Sequence, residues 1–149
     1  MRSVFSLDPG TTQSGWCIYQ DGHVSDSGVE DNQSLLRLMK IATPDDVAIE
    51  MVACYGMAVG KEVFETCVWI GRFMEAFGGR VTLIYRRDVK LHLCGTVRAK
   101  DANVRQALID KIGPQGTKKA PGPTFGVKSH AWAALAVAVT FDETVKGAA

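Results

Sequence analysis

The sequence contains no Cys-x-x-Cys pair; its four cysteines, Cys17, Cys54, Cys67 and Cys94, stand far apart. That spacing argues against a zinc ribbon or a disulfide framework, and reduced thiols in apolar surroundings are expected. A long hydrophobic run is missing too. The longest wholly apolar stretch, Ala131 to Val139, is too short to cross a bilayer, and Asp8 interrupts what would have to be the apolar core of a signal peptide. A soluble, intracellular protein with no membrane partner is expected. At 46% hydrophobic and 22% charged residues the composition is that of a folded chain, and 149 residues suit a single domain spanning 1–149.

Net charge is small, a formal +1, but the charges are unevenly placed. Residues 1–85 hold six Lys/Arg against eleven Asp/Glu, whereas residues 86–128 hold ten against three. A basic segment of that kind suits a polyanion partner, although a solvated basic face would look the same from sequence.

What is present begins with Ser6-Leu7-Asp8-Pro9-Gly10-Thr11-Thr12-Gln13-Ser14-Gly15-Trp16. Val4, Phe5 and Leu7 read as a strand buried on both faces, and Pro9-Gly10 stops it, so Asp8 stands where a core strand meets a loop. The chain then returns through Gly15 to Tyr19 and Val24 to Val29, with Gln20-Asp21-Gly22 as a hairpin signal. Taken alone, Asp8 reads equally well as the residue that starts its turn or as a carboxylate that holds a cation.

A strand ending in Asp8-Pro9-Gly10-Thr11, a small-residue turn and a Gly15-Trp16 strand resembles the opening of the RuvC family of Holliday junction resolvases. Those are nucleases of the ribonuclease-H-like fold. The resemblance implies an α/β protein with a mixed five-stranded sheet flanked by helices. It extends over nearly the whole chain. By analogy it suggests a cytoplasmic protein of a bacterial cell or a phage-infected host.

Asn32 to Lys40 has helical spacing, and Val47-Ala48-Ile49 is again a short apolar strand, ending in Glu50. If the first and fourth strands are neighbours, as that fold implies, Asp8 and Glu50 lie roughly 5 Å apart, the spacing of adjacent strands. Two carboxylates so close repel by about 3 kcal/mol at an effective dielectric of about 20 and need a proton or a cation between them. Oxygen ligands with no Cys or His cluster nearby select Mg²⁺ or Mn²⁺ over zinc. A plain strand-end carboxylate is the alternative for Glu50.

After Glu50 comes an apolar loop with Tyr55 at its centre. By resemblance it carries an aromatic wedge into the junction, with Tyr55 the best candidate, though its offset from the acid departs slightly from the family pattern; a packed Tyr is the alternative. Lys61 to Phe77 is the longest helix candidate, closed by Gly78-Gly79. Its apolar surface is wider than one sheet face needs, so Phe64, Val68 and Trp69 are expected at a two-fold homodimer interface, as in RuvC proteins. A helix buried between two layers of one chain is the alternative. Val81 to Tyr85 supplies a fifth strand. Arg86, Arg87, Arg98 and Lys100 follow, the last two at the start of another helix, in a passage resembling the family segment that lies along DNA phosphates. Gly113 to Gly126 reads as a mobile loop carrying Lys118 and Lys119, both expected to contact phosphates.

The last helix is expected from Ser129, as its cap, to Phe141. RuvC proteins carry there an acid or a histidine, an aspartate three residues later, and then Ala-Leu-Ala. This chain has His130-Ala131-Trp132-Ala133-Ala134-Leu135-Ala136. His130 matches, and Ala133 stands where the aspartate is expected.

The resemblance therefore implies an endonuclease that resolves four-way DNA junctions by metal-dependent hydrolysis, with two Mg²⁺ or Mn²⁺ ions held by Asp8, Glu50 and His130. The missing carboxylate at 133 points to an inactivated form of such an enzyme, engineered or natural. Two other readings stay open: a junction-binding module without catalysis, and a nucleotide-binding domain of sugar-kinase type, since Asp8-Pro9-Gly10-Thr11-Thr12 also resembles that phosphate loop.

Overall fold

The computed structural model describes residues 2–145. Its centre is a mixed five-stranded sheet in the order β3-β2-β1-β4-β5. Strands β1 (Ser3–Asp8), β2 (Gln13–Gln20) and β3 (His23–Asp31) form the antiparallel meander. Strand β4 (Asp46–Met51) lies parallel to β1 and β5 (Val81–Tyr85) parallel to β4.

Alternation along the strands sorts side chains to two faces. From β1, Phe5 and Leu7 join Val47 and Ile49 of β4 against helices α1 (Asn32–Ile41) and α2 (Lys61–Phe77). Val4 and Ala48 face the opposite core, built with α3 (Arg86–Cys94), α4 (Asp101–Ile112) and α5 (Ala131–Thr140). Ser6 points the same way, its hydroxyl donating to the carbonyl of Ala134 at 2.6 Å. By the same parity Asp8 and Glu50 belong to the face that α5 covers.

Helix boundaries follow local chemistry. Asp31 caps α1 by accepting from the Ser34 amide at 2.9 Å, and Gly78 ends α2 with φ of 73°, a left-handed conformation that suits glycine. The residues of α5 from Ala134 to Thr140 are all buried, so this helix is the centre of its layer and has no polar face. It ends in a π-helical turn, Phe141–Val145. Among the described residues no helix is long and apolar enough to cross a membrane. Cys17 is buried, and burial, with the charge of Asp26 adding to it, pushes its thiol up to about 12; Cys54 is exposed, and all four cysteines are free.

Two expectations need correction. Ser129 does not cap the last helix: it has a positive φ of 51°, and the helix begins at Ala131 with His130 before it. The 113–126 segment is also more ordered than its prolines and glycines suggest. A bridge pairs Gly116 with Pro121, Thr117 and Ala120 exchange backbone hydrogen bonds, and the buried Thr124 hydroxyl donates to the Gly113 carbonyl at 2.8 Å. Lys118 and Lys119 sit exposed at the tip of this small hairpin.

Candidate functional site

Asp8 is the last residue of β1, and Glu50 is the last but one of its parallel neighbour β4. The register pairs Ser6 with Ala48 and Leu7 with Ile49, and one further step brings the two acids side by side. Both are largely buried, with 14% of each side chain exposed. Burial is the main cause that raises the Glu50 pKa well above the usual carboxylate range; a hydrogen bond to Asp8 and the charge of Asp8 add to it, while Arg86 opposes them. Glu50 Oε1 is buried and receives no hydrogen bond.

His130 completes the constellation from the far end of the chain. Its Nδ1 lies 3.0 Å from Asp8 Oδ2, and its ring is 65% exposed. Donation from Nδ1 to the carboxylate fixes the tautomer and leaves Nε2 available to a ligand. The placement depends on a residue with no side chain: a Cβ on Gly15 would lie 2.3 Å from the His130 carbonyl oxygen.

The turn that carries Asp8 is braced from below by residues that sequence reasoning missed. The side chain of the fully buried Asn32 donates to the Gly10 carbonyl at 2.9 Å and accepts from the Ser14 hydroxyl at 2.6 Å, while Ser14 accepts from the Gly10 amide at 3.1 Å. With that amide used inside the turn, the Gly10 position offers no free donor to a phosphate, which weighs against the sugar-kinase comparison. No local sequence pattern marks Asn32 for this role.

A cavity of about 620 Å³ opens over these groups, and Asp8, Glu50, His130 and Ala133 all line it. Three unanticipated side chains share it: Asp101 and Arg105 of α4, and Trp132 of α5. The Arg105 guanidinium carbon stands 5.4 Å from the Trp132 ring centroid. Arg86 also enters this cavity. It binds Asp101 at 2.5 Å and approaches Glu50 Oε1 to 3.9 Å through Nε.

Tyr55 lies on the rim, exposed, with a positive φ of 49° and the Arg87 guanidinium carbon 6.0 Å from its ring centroid. Arg98 and Lys100 are exposed just ahead of α4, and Lys100 is its N-cap residue. On the opposite side of the sheet, Phe64 and Val68 of α2 are each 63% exposed. Trp69 is partly buried, tilted against Phe73 and covered by Arg72 at 4.1 Å, so it belongs in part to the core.

The donor set suits a hard divalent cation: two adjacent carboxylates, one with an orphaned buried oxygen, and a histidine nitrogen beside them. Among the described residues, however, no three His, Cys, Asp or Glu side chains are grouped closely enough to cage an ion by themselves.

No family model matches the sequence, and no curated protein matches it. Solved structures do. The chain is similar to the RuvC structure of Thermus thermophilus, with a TM-score of 0.72 and 21% identity over 98% of this chain and 96% of that one. It is also similar to T. thermophilus RuvC in complex with Holliday junction substrate, with a TM-score of 0.73 and 20% identity over 99% and 97%. The fold is RuvC-like, a ribonuclease-H-like sheet flanked by helices.

Proposed function

We propose that this chain is a RuvC-type, metal-dependent endonuclease for four-way DNA junctions, impaired in its present form by alanine at 133. The observation that carries the reading is the meeting of Asp8, Glu50 and His130, contributed by three separate parts of the chain, in one cavity that Ala133 also lines.

Asp8, Glu50 and His130 are the residues that would hold Mg²⁺ or Mn²⁺. Bound there, such ions supply an activated water and neutralise the departing oxygen of the phosphodiester. The protein's own groups do the rest. Asp8 fixes the His130 ring through Nδ1, so that Nε2 serves either as a ligand or to orient a water. The buried floor of the cavity lowers the local dielectric and strengthens every charge interaction in it. An aspartate at 133 would add the further carboxylate that the present set lacks.

Arg87, Arg98, Lys100, Lys118 and Lys119 would position the DNA by its phosphates, and Tyr55 on the cavity rim would stack on an unpaired base at the junction centre; Arg86, first expected among the phosphate contacts, is engaged with Asp101 inside the cavity instead. The apolar face at Phe64 and Val68, extended by the edge of Trp69, would pair two copies about a two-fold axis that matches the junction.

A catalytically silent junction-binding module is the second reading. It is favoured by Ala133 and by the absence of a three-ligand cage among the described residues.

The test common to both is a gel-shift comparison of a four-way junction with linear duplex of the same sequence. Preference for the junction is expected, with affinity falling by orders of magnitude, roughly 10³-fold or more, from about 50 to 200 mM salt if six or more phosphates are contacted. Equal binding to both DNAs contradicts the reading.

A further inference from the structure

We propose that Arg86 is a resident counter-cation of the carboxylate pair, anchored by Asp101, that a divalent ion must displace from Glu50. The inference rests on the metal-holding role proposed for Asp8 and Glu50, and it concerns residues that were not expected in that site: Arg86 as a neighbour of Glu50, and Asp101 at all.

The geometry is that of a contact made to be broken. Arg86 is the first residue of α3, directly after β5, and Asp101 is the first of α4. The guanidinium grips Asp101 at 2.5 Å through one terminal nitrogen and faces Glu50 Oε1 at 3.9 Å through Nε. That second distance is too long for a hydrogen bond, yet short enough for strong attraction inside a partly buried cavity. Each side chain also keeps an unmet polar atom: Glu50 Oε1, which faces Nε, and the other terminal nitrogen of Arg86, Nη1, are buried without a hydrogen-bond partner.

Two adjacent buried carboxyl groups need a proton or a cation beside them, and without a metal ion Arg86 supplies part of that positive charge. It does so without closing a hydrogen bond on Glu50, so a closer-fitting cation wins the oxygen without breaking one. Asp101, whose side chain is 90% exposed, keeps the guanidinium paired when it leaves Glu50. Arg86 thereby sets a threshold for metal occupancy.

The test measures Mn²⁺ affinity by calorimetry on the chain as it stands, against Arg86→Gln and Arg105→Gln. Arg105 lines the same cavity and loses the same charge, so it separates contact with Glu50 from a general field effect. Arg86→Gln is expected to bind Mn²⁺ about tenfold more tightly, because the attraction at 3.9 Å is gone. Arg105→Gln is expected to change affinity by less than about twofold. Arg86→Met, which keeps the apolar stem, is measured alongside in case the Gln variant folds poorly, and thermal melts establish folding for each.

Unchanged or weaker Mn²⁺ binding in folded Arg86 variants overturns the counter-cation while leaving the metal site standing. Equal tightening in Arg105→Gln overturns it as well. Failure of every protein to bind Mn²⁺ overturns the metal-holding reading, and this inference with it.

Discussion

The His130 carbonyl lies so close above Gly15 that a Cβ there would come within 2.3 Å of its oxygen and 2.4 Å of its carbon. No L-residue with a side chain fits without moving the backbone that presents the histidine. Gly15→Ala is therefore expected to lower stability by about 1–3 kcal/mol, as overpacking does, and to separate His130 from Asp8. Urea unfolding and the NMR signals of the His130 ring check this; unchanged values for both contradict it.

Asn32 holds the Asp8 turn from the interior. Asn32→Ala removes a donor from the Gly10 carbonyl and an acceptor from the buried Ser14 hydroxyl. Groups left unsatisfied in this way cost about 1–3 kcal/mol each, so for the two a loss of roughly 2–6 kcal/mol in chemical denaturation is expected. A loss under about 0.5 kcal/mol would show that the turn stands without it.

Much of this was legible in the sequence, and the reasons differ by element. The short apolar run from Val4 to Leu7, buried on both faces, and the Pro9-Gly10 stop marked β1 and placed Asp8 at its end; the same logic placed Glu50 just after the apolar run of β4. The wide apolar surface of α2 divides in two: Ile70 and Phe73 go into the core, while Phe64 and Val68 stay outside. Asp101, Arg105 and Asn32 were not legible as site residues. Their positions depend on where α4 packs and on a turn closed by side chains, neither of which leaves a local pattern. The ordered 113–126 hairpin was hidden by prolines and glycines that here serve a tight turn.

The outer face of α2 gives a prediction about assembly. Val68 is exposed, so Val68→Glu is expected to leave the melting temperature nearly unchanged while converting a dimer to a monomer in sedimentation. A wild-type monomer, or a variant that stays dimeric, contradicts the proposed interface.

Glu143 joins α3 and α4 to the π-helical turn Phe141–Val145. It lies 2.7 Å from His92 Nε2 and accepts from Lys111 Nζ at 2.9 Å. Burial, the largest single influence, pushes its carboxyl upward, but the Lys111 and His92 hydrogen bonds and charges together outweigh burial and hold it below its ordinary value of 4.5. A depressed carboxylate stabilises the fold above its unfolded pKa and loses that contribution as pH falls through the folded one. Glu143→Gln is therefore expected to melt lower than the parent at pH 7, with the difference shrinking below the ordinary value of 4.5. A difference that persists unchanged at pH 3 would assign it to packing.

The most direct measurement is cleavage of a four-way junction by Ala133→Asp in Mg²⁺, with linear duplex and the double variant carrying Asp8→Asn beside it. Cutting of the junction that requires both Mg²⁺ and Asp8, and that greatly exceeds cutting by the parent chain, is the expected result. A restored carboxylate that yields no cutting, or cutting that survives the loss of Asp8, contradicts a nuclease centre at these strand ends.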